Sequence, residues 1–262
     1  MDQSKNYKNI LKLITFAGQI MLENGAETYR VENTIEYLCR ASDIETIDSF
    51  ATPTGIFICI ETSDQKYYTT LKRVRRRITN LSKIYQVNNV SRKFAENKME
   101  IEEALTLLEK INTESSSSKL QTIAAAGFSA GFFALLFGGS LWDGIIALGC
   151  GALIQYINTV SKFLDNPPIF LLNLLGGAIS AAAAVLFAGI LNIGSISGII
   201  IGAIMPSVPG IAITNAIRDT IYGDLVSGTA RAVEAILVAT AIASGVGVVL
   251  NTWFLLQGGF TI

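Results

Sequence analysis

Apolar residues at Ile10, Leu13, Ile14, Ala17, Ile20 and Met21 recur every three or four positions, which predicts an amphipathic helix near the start of the chain. Lys12 falls inside this run, so the run does not read as the apolar core of a signal peptide. The same spacing resumes through Val31, Ile35 and Leu38 in "ENGAETYRVENTIEYLCRAS". Asn24-Gly25 either ends the first helix or kinks it. The period then changes. "TGIFICIE" (54–61), behind Pro53, is apolar on both faces and predicts a buried strand. After the turn "TSDQ", "KYYTTLKRV" predicts a second strand. "NLSKIYQVNNVSRKFAENK" and "EIEEALTLLEKINT" return to helical spacing. About 115 residues suffice to close a small α+β core. "TESSSSK" (113–119) reads as a polar, flexible linker.

Past the linker, five apolar runs approach the ~20 residues that a bilayer demands of a helix. They cover roughly 120–138, 144–160, 168–190, 195–217 and 229–256. The predicted architecture is an α+β cytoplasmic domain (1–115) followed by an all-α transmembrane bundle of five helices (116–262), the fourth discontinuous. Charge divides the chain at the same place. Residues 1–119 hold 17 of the 20 Lys and Arg and 16 of the 21 Asp and Glu. Lys119, Lys162, Arg218 and Arg231 all fall on one side of the spans, and the connectors 139–143 and 191–194 carry no Lys or Arg. An excess of basic residues marks the cytoplasmic side. The expectation is a multi-pass plasma-membrane protein in contact with lipid, its N-terminus cytoplasmic and its C-terminus outside.

The fourth run raises a question of chemistry. "MPSVPGIAITNAIRDTIYGDLVSG" (205–228) sets two prolines, and then Arg218, Asp219 and Asp224, in oily surroundings. From Ile196 to Met205 is only half a bilayer at ~1.5 Å per residue, whereas continuing to Ile217 makes a full crossing. One helix broken near its middle at Pro206, Pro209 and Gly210 satisfies that length. Broken backbone at membrane depth is tolerated where it is buried in protein or lines a watered cavity, and transporters bind solutes at such breaks. A proline kink, or a loop beginning at Pro206, is the alternative. Asn215, Arg218 and Asp219 lie within one helical turn, and Arg231 and Glu234 share a face at the start of the fifth span. Ionisable residues at membrane depth mark ion or solute pathways, or serve as interfacial anchors and structural ion pairs. Asp143 and Asp165 at span ends are expected to be solvated, and Asn173 and Asn192 to be helix contacts or loop residues.

Composition removes several other activities. The chain has no His, so Ser–His and Cys–His catalysis and the usual zinc sites are excluded. Cys39, Cys59 and Cys150 form no CxxC spacing and no disulfide framework. The net charge is −1, and the local basic run "KRVRRR" (72–77) lacks interleaved aromatics, so a nucleic-acid partner is not expected. No metal or cofactor is implied.

Two separated motifs, "ENGAETYRVENTI" with "FATPTGIFICIE" in the first half and "MPSVPGIAITNAIRDTIYGDLVSGTARAVEA" in the second, resemble the threonine/serine exporter family along almost the whole chain. The likeness is to the large subunit of the split, two-component form. That resemblance implies export of threonine, serine or dicarboxylates, coupling to an ion gradient, with protons as one carrier, and a second small membrane subunit of the same family, because the chain stops at Ile262. Carried over, the membrane motif falls on Pro206, Pro209, Gly210, Asn215, Arg218, Asp219, Gly223, Asp224, Ser227, Gly228, Arg231 and Glu234, of which Pro206, Pro209, Gly210, Asn215, Arg218, Asp219, Asp224, Arg231 and Glu234 are the candidates for a solute or ion pathway. The other motif falls on Gly25, Ala26, Glu27, Arg30, Val31 and Glu32. Glu27, Arg30 and Glu32 are candidates for a regulatory contact with the membrane part, beside the plainer reading of a helix packed on the sheet. On this basis the chain is expected to be a subunit of a secondary transporter for a small amino or carboxylic acid and not an enzyme. A membrane-anchored sensor or hydrolase is the alternative.

Overall fold

A computed structural model of the chain describes residues 2–258, except 43, 45, 63, 64, 97, 115–117 and 162–166. It divides into two compact units: Met1–Ser116 with Ile213–Ala232, and Ser117–Ala212 with Val233–Ile262. Lys162, Asp165 and most of the serine run before Lys119 lie outside the described residues.

The first unit opens with α1 (Asp2–Glu23) and α2 (Thr28–Arg40). The apolar stripe of α1 is buried from Ile10 to Met21, against Ile35 and Leu38 of α2 and Ile56, Ile58 and Ile60 of the sheet. α1 ends at Asn24-Gly25 rather than bending there, because Gly25 takes a left-handed φ of +88°. A three-stranded antiparallel sheet follows in the order β1 (Thr46–Thr52), β2 (Gly55–Glu61), β3 (Tyr67–Arg73). Two of these strands match the expected ones, with a correction. β2 is not buried on both faces: Ile56, Ile58 and Ile60 point into the core, while Phe57 is 46% exposed beside Phe50. β1 escapes the apolar pattern because its core-facing residues, Ile47, Ser49 and Ala51, present little apolar surface. α3 (Leu81–Ala95) and α4 (Ile101–Thr113) complete the core with Ile84, Val87, Phe94 and Leu108.

The second unit contains α5 (Lys119–Leu136), α6 (Leu141–Ser161), α7 (Ile169–Ala184), a π-helical turn (Val185–Ile190) and α8 (Ile196–Ile204). A 3₁₀ turn (Met205–Ser207) leads to α9 (Gly210–Ile221), and α10 (Leu225–Leu256) is the last described helix. Among the described residues four helices are long and apolar enough to cross a membrane, and α8–α9, bent by 55°, is a fifth candidate if counted as one. The bend has a local cause. Val208 precedes Pro209 and is extended (φ −62°, ψ 130°), as a residue before proline prefers, so the α-helix cannot run through it. α7 and α10 touch backbone to backbone. A Cβ at Gly177 would lie 2.3 Å from the Ile242 carbonyl oxygen, and one at Gly245 2.0 Å from that of Leu174.

Asp143 corrects the expectation of a solvated span end. It is 2% exposed. Its carboxylate accepts the Ser140 and Ser195 backbone amides at 2.7 and 2.6 Å and their hydroxyls at 3.0 and 3.1 Å. Ser195 caps α8, so one carboxylate ties together the positive N-terminal ends of α6 and α8. Sequence could not reveal this, because Ser195 is 52 residues away. Asp143→Ala should lower the thermal unfolding midpoint of the detergent-solubilised protein clearly, since each buried donor left unsatisfied costs about 1–3 kcal/mol. Asp143→Asn, which still accepts at one oxygen, should lie between.

Candidate functional site: the Gly25–Glu32 turn and the 213–232 hairpin

Within the first unit, residues 213–232 form a helical hairpin whose polar side chains meet the turn between α1 and α2. The turn is braced from behind, where Ile78 donates its amide to the Glu23 carbonyl and Asn80 to that of Asn24. Asn215 donates to the Gly25 carbonyl at 3.0 Å, and Arg231 to the Ala26 carbonyl at 2.7 Å. Thr28 begins α2. Its amide donates to Asp219 Oδ1 and its hydroxyl to Asp224 Oδ2, both at 3.1 Å. Tyr29 stacks on Tyr222 with ring centroids 4.1 Å apart, and the Ser227 hydroxyl donates to the Ala51 carbonyl at 3.4 Å.

The electrostatics follow from helix ends. Glu27 is the N-cap residue of α2, but its side chain does not cap the helix. It pairs instead with Arg218 and, at 3.6 Å, with Arg30. Asp219 supplies the missing acceptor from another part of the chain. A carboxylate in the last turn of α9 faces the unfavourable end of its own helix dipole, and here it gains the favourable end of α2. Asp219 is fully buried and Arg231 nearly so, with Nε to Oδ2 at 2.9 Å. That contact is an ion pair whose N–H is not aimed along it. Burial pushes the Glu27 carboxyl up, but its own backbone amide and the Arg218 and Arg30 charges outweigh this and hold it below the ordinary glutamate value. The stabilisation from Glu27 is thus present above the ordinary glutamate range and is lost as pH falls through the lowered value.

The family model described as "Putative threonine/serine exporter" matches residues 12–253. The chain belongs to the threonine/serine exporter family. It is therefore grouped with transporters and is not an enzyme. The "Probable threonine/serine exporter" of Mycobacterium tuberculosis (strain ATCC 25618 / H37Rv) is 21% identical over 245 residues, covering 91% of this chain and 45% of the relative. The chain thus spans less than half the length of that relative. No solved structure matches.

In this threonine/serine exporter family member the two motifs meet at named atoms. Asn215, Arg218, Asp219, Asp224 and Arg231 are gathered with Glu27, Arg30 and Glu32 in the first unit. Pro206, Pro209 and Gly210 lie in the second unit at the α8–α9 break, and Glu234 lies there on α10, partly exposed. Asn173 bonds the Ile169 carbonyl of its own helix, and Asn192 takes a left-handed turn. Sequence reasoning did not single out Thr28, Tyr29, Tyr222 or Ala51. Thr28 sat inside the quoted motif, and its place as first residue of α2 was the available signal. Ala51 offers only its backbone, which no residue pattern announces.

Proposed function

We propose that the chain is one component of a secondary exporter for a small amino or carboxylic acid of the threonine, serine or dicarboxylate kind. The family match over 12–253 carries this reading. The interrupted helix at Val208–Pro209 supports it, because helices broken at membrane depth are a recurrent solute-binding device in transporters. Arg218 is the cation suited to a solute's carboxylate: its side chain is half exposed, whereas that of Arg231 is buried against Asp219 and Ala26. Coupling runs through an ion gradient, protons included, and a second small membrane subunit of the same family completes the path, in keeping with a relative of more than twice the matched length. The N-terminus is cytoplasmic and the C-terminus outside, on the side distribution of Lys119, Arg218 and Arg231.

Efflux from sealed vesicles tests this. Vesicles holding the chain together with such a second subunit should release threonine, serine or a dicarboxylate under an imposed gradient, and the chain alone should release little. Strong efflux by the purified chain alone would remove the partner from the proposal. No flux of any of these solutes in either preparation would remove transport of them.

A further inference from the structure

The contact around Thr28 holds more acid than base. Glu27 is matched by Arg218 and Arg30, and Asp219 by Arg231. Glu32 and Asp224 remain, and among the described residues neither has a Lys or Arg at ion-pair distance. Glu32 stands one turn into α2, half-buried, and its Oε1 accepts the Ala51 amide at 2.7 Å. α2 also packs on α1 and α3, but among the described residues the charges acting on Glu32 come from the hairpin. α9 brings Asp219 and the following turn brings Asp224, both acting on Glu32. α10 brings Arg231, already committed to Asp219 and the Ala26 carbonyl. Its own helix brings Arg30, committed to Glu27, and Glu36, paired with Arg40. β1 brings the Ala51 backbone, which bonds Glu32 through its amide and Ser227 through its carbonyl.

We propose that Glu32 is a proton-operated latch: protonated, it lets the 25–32 segment hold the 213–232 hairpin firmly; charged, it repels Asp219 and Asp224 and loosens that hold. Burial, opposed by the Ala51 amide and reinforced by the Asp224 and Asp219 charges, pushes its carboxyl above the ordinary glutamate value. The closed contact therefore binds a proton more tightly than the open one. Its stability is greatest below the ordinary glutamate value and falls as pH rises toward the raised one. Each pKa unit of elevation changes the closing equilibrium by at most about tenfold. Glu27 acts in the opposite sense, since its pairing with Arg218 is lost on the acid side. The hold is thus strongest in a window bounded by two carboxylates five residues apart in sequence. The latch stands apart from the transport proposal, because both its states are defined by packing inside the first unit.

Hydrogen exchange of the full chain in lipid nanodiscs tests it, with amide rates in 213–232 read against those of α3 after correction for intrinsic exchange. The wild-type hairpin should open several-fold more as pH rises from about 4.5 to 7.5, while α3 does not. Glu32→Gln should hold the hairpin closed across that range. Asp224→Asn, which removes one of the repelling charges but leaves Glu32 in place, should shrink the step and move it to lower pH. A wild-type hairpin that tracks α3, or a pH step unchanged in either variant, overturns the proposal.

Discussion

Arg231→Ala is expected to destabilise the first unit by about 3–5 kcal/mol, because it strands a buried carboxylate without its cation. Asp219 is fully buried, and among the described residues its remaining bond is the Thr28 amide. The Ala26 carbonyl also loses its 2.7 Å donor. Denaturant unfolding of the purified chain should show the loss directly. The double variant Asp219→Leu with Arg231→Met separates structure from transport. Apolar replacement of a buried pair is often neutral, so much of the stability should return, less about 1–3 kcal/mol for the Thr28 amide left without an acceptor. Export in vesicles should stay lost in this refolded variant. Export restored together with stability would reduce the pair to scaffolding.

Gly245→Val should disrupt the second unit more severely than any other apolar exchange in its helices. A Cβ there would stand 2.0 Å from the Leu174 carbonyl oxygen and 2.9 Å from the Ala178 nitrogen, both backbone atoms that cannot turn aside. α7 and α10 would have to move apart along the line where Gly177 also meets Ile242. Overpacking of this kind costs about 1–3 kcal/mol where side chains can adjust, and more where backbone must shift. The protein should aggregate or lose a large part of its thermal midpoint on solubilisation. Gly247→Ala is the control two residues away. Nothing lies within 4 Å of a Cβ there, so it should be tolerated or gain up to about 1 kcal/mol from helix propensity.

The helices were legible because their signal is local. Apolar spacing placed α1 to α4 and the long apolar helices, and the Pro-x-x-Pro-Gly stretch announced the break between α8 and α9. The break falls at Val208–Pro209 and not at Met205–Pro206, since Met205 keeps helical angles before its proline. β1 was not legible, because "TIDSFAT" holds few core-facing apolar atoms. Nor was the buried role of Asp143, which depends on a serine from another connector. The charged hairpin was visible as a cluster, but its partners were not. Thr28 and Asp219 are 191 positions apart, and no periodicity links positions at that distance.

That separation bears on how the chain is made. Thr28 leaves the ribosome well before Asp219, by on the order of 10–40 s at synthesis rates of about 5–20 residues per second. During that interval the first amide of α2 and the Gly25 and Ala26 carbonyls must be satisfied by water or by a chaperone. Four apolar helices, α5 to α8, are synthesised before the completing segment emerges. The N-terminal fold therefore reaches its final form only after most of the apolar chain has left the ribosome. A molecule that stalls before residue 213 is left with an open edge at Gly25–Thr28, where a protease can tell unfinished chains from finished ones.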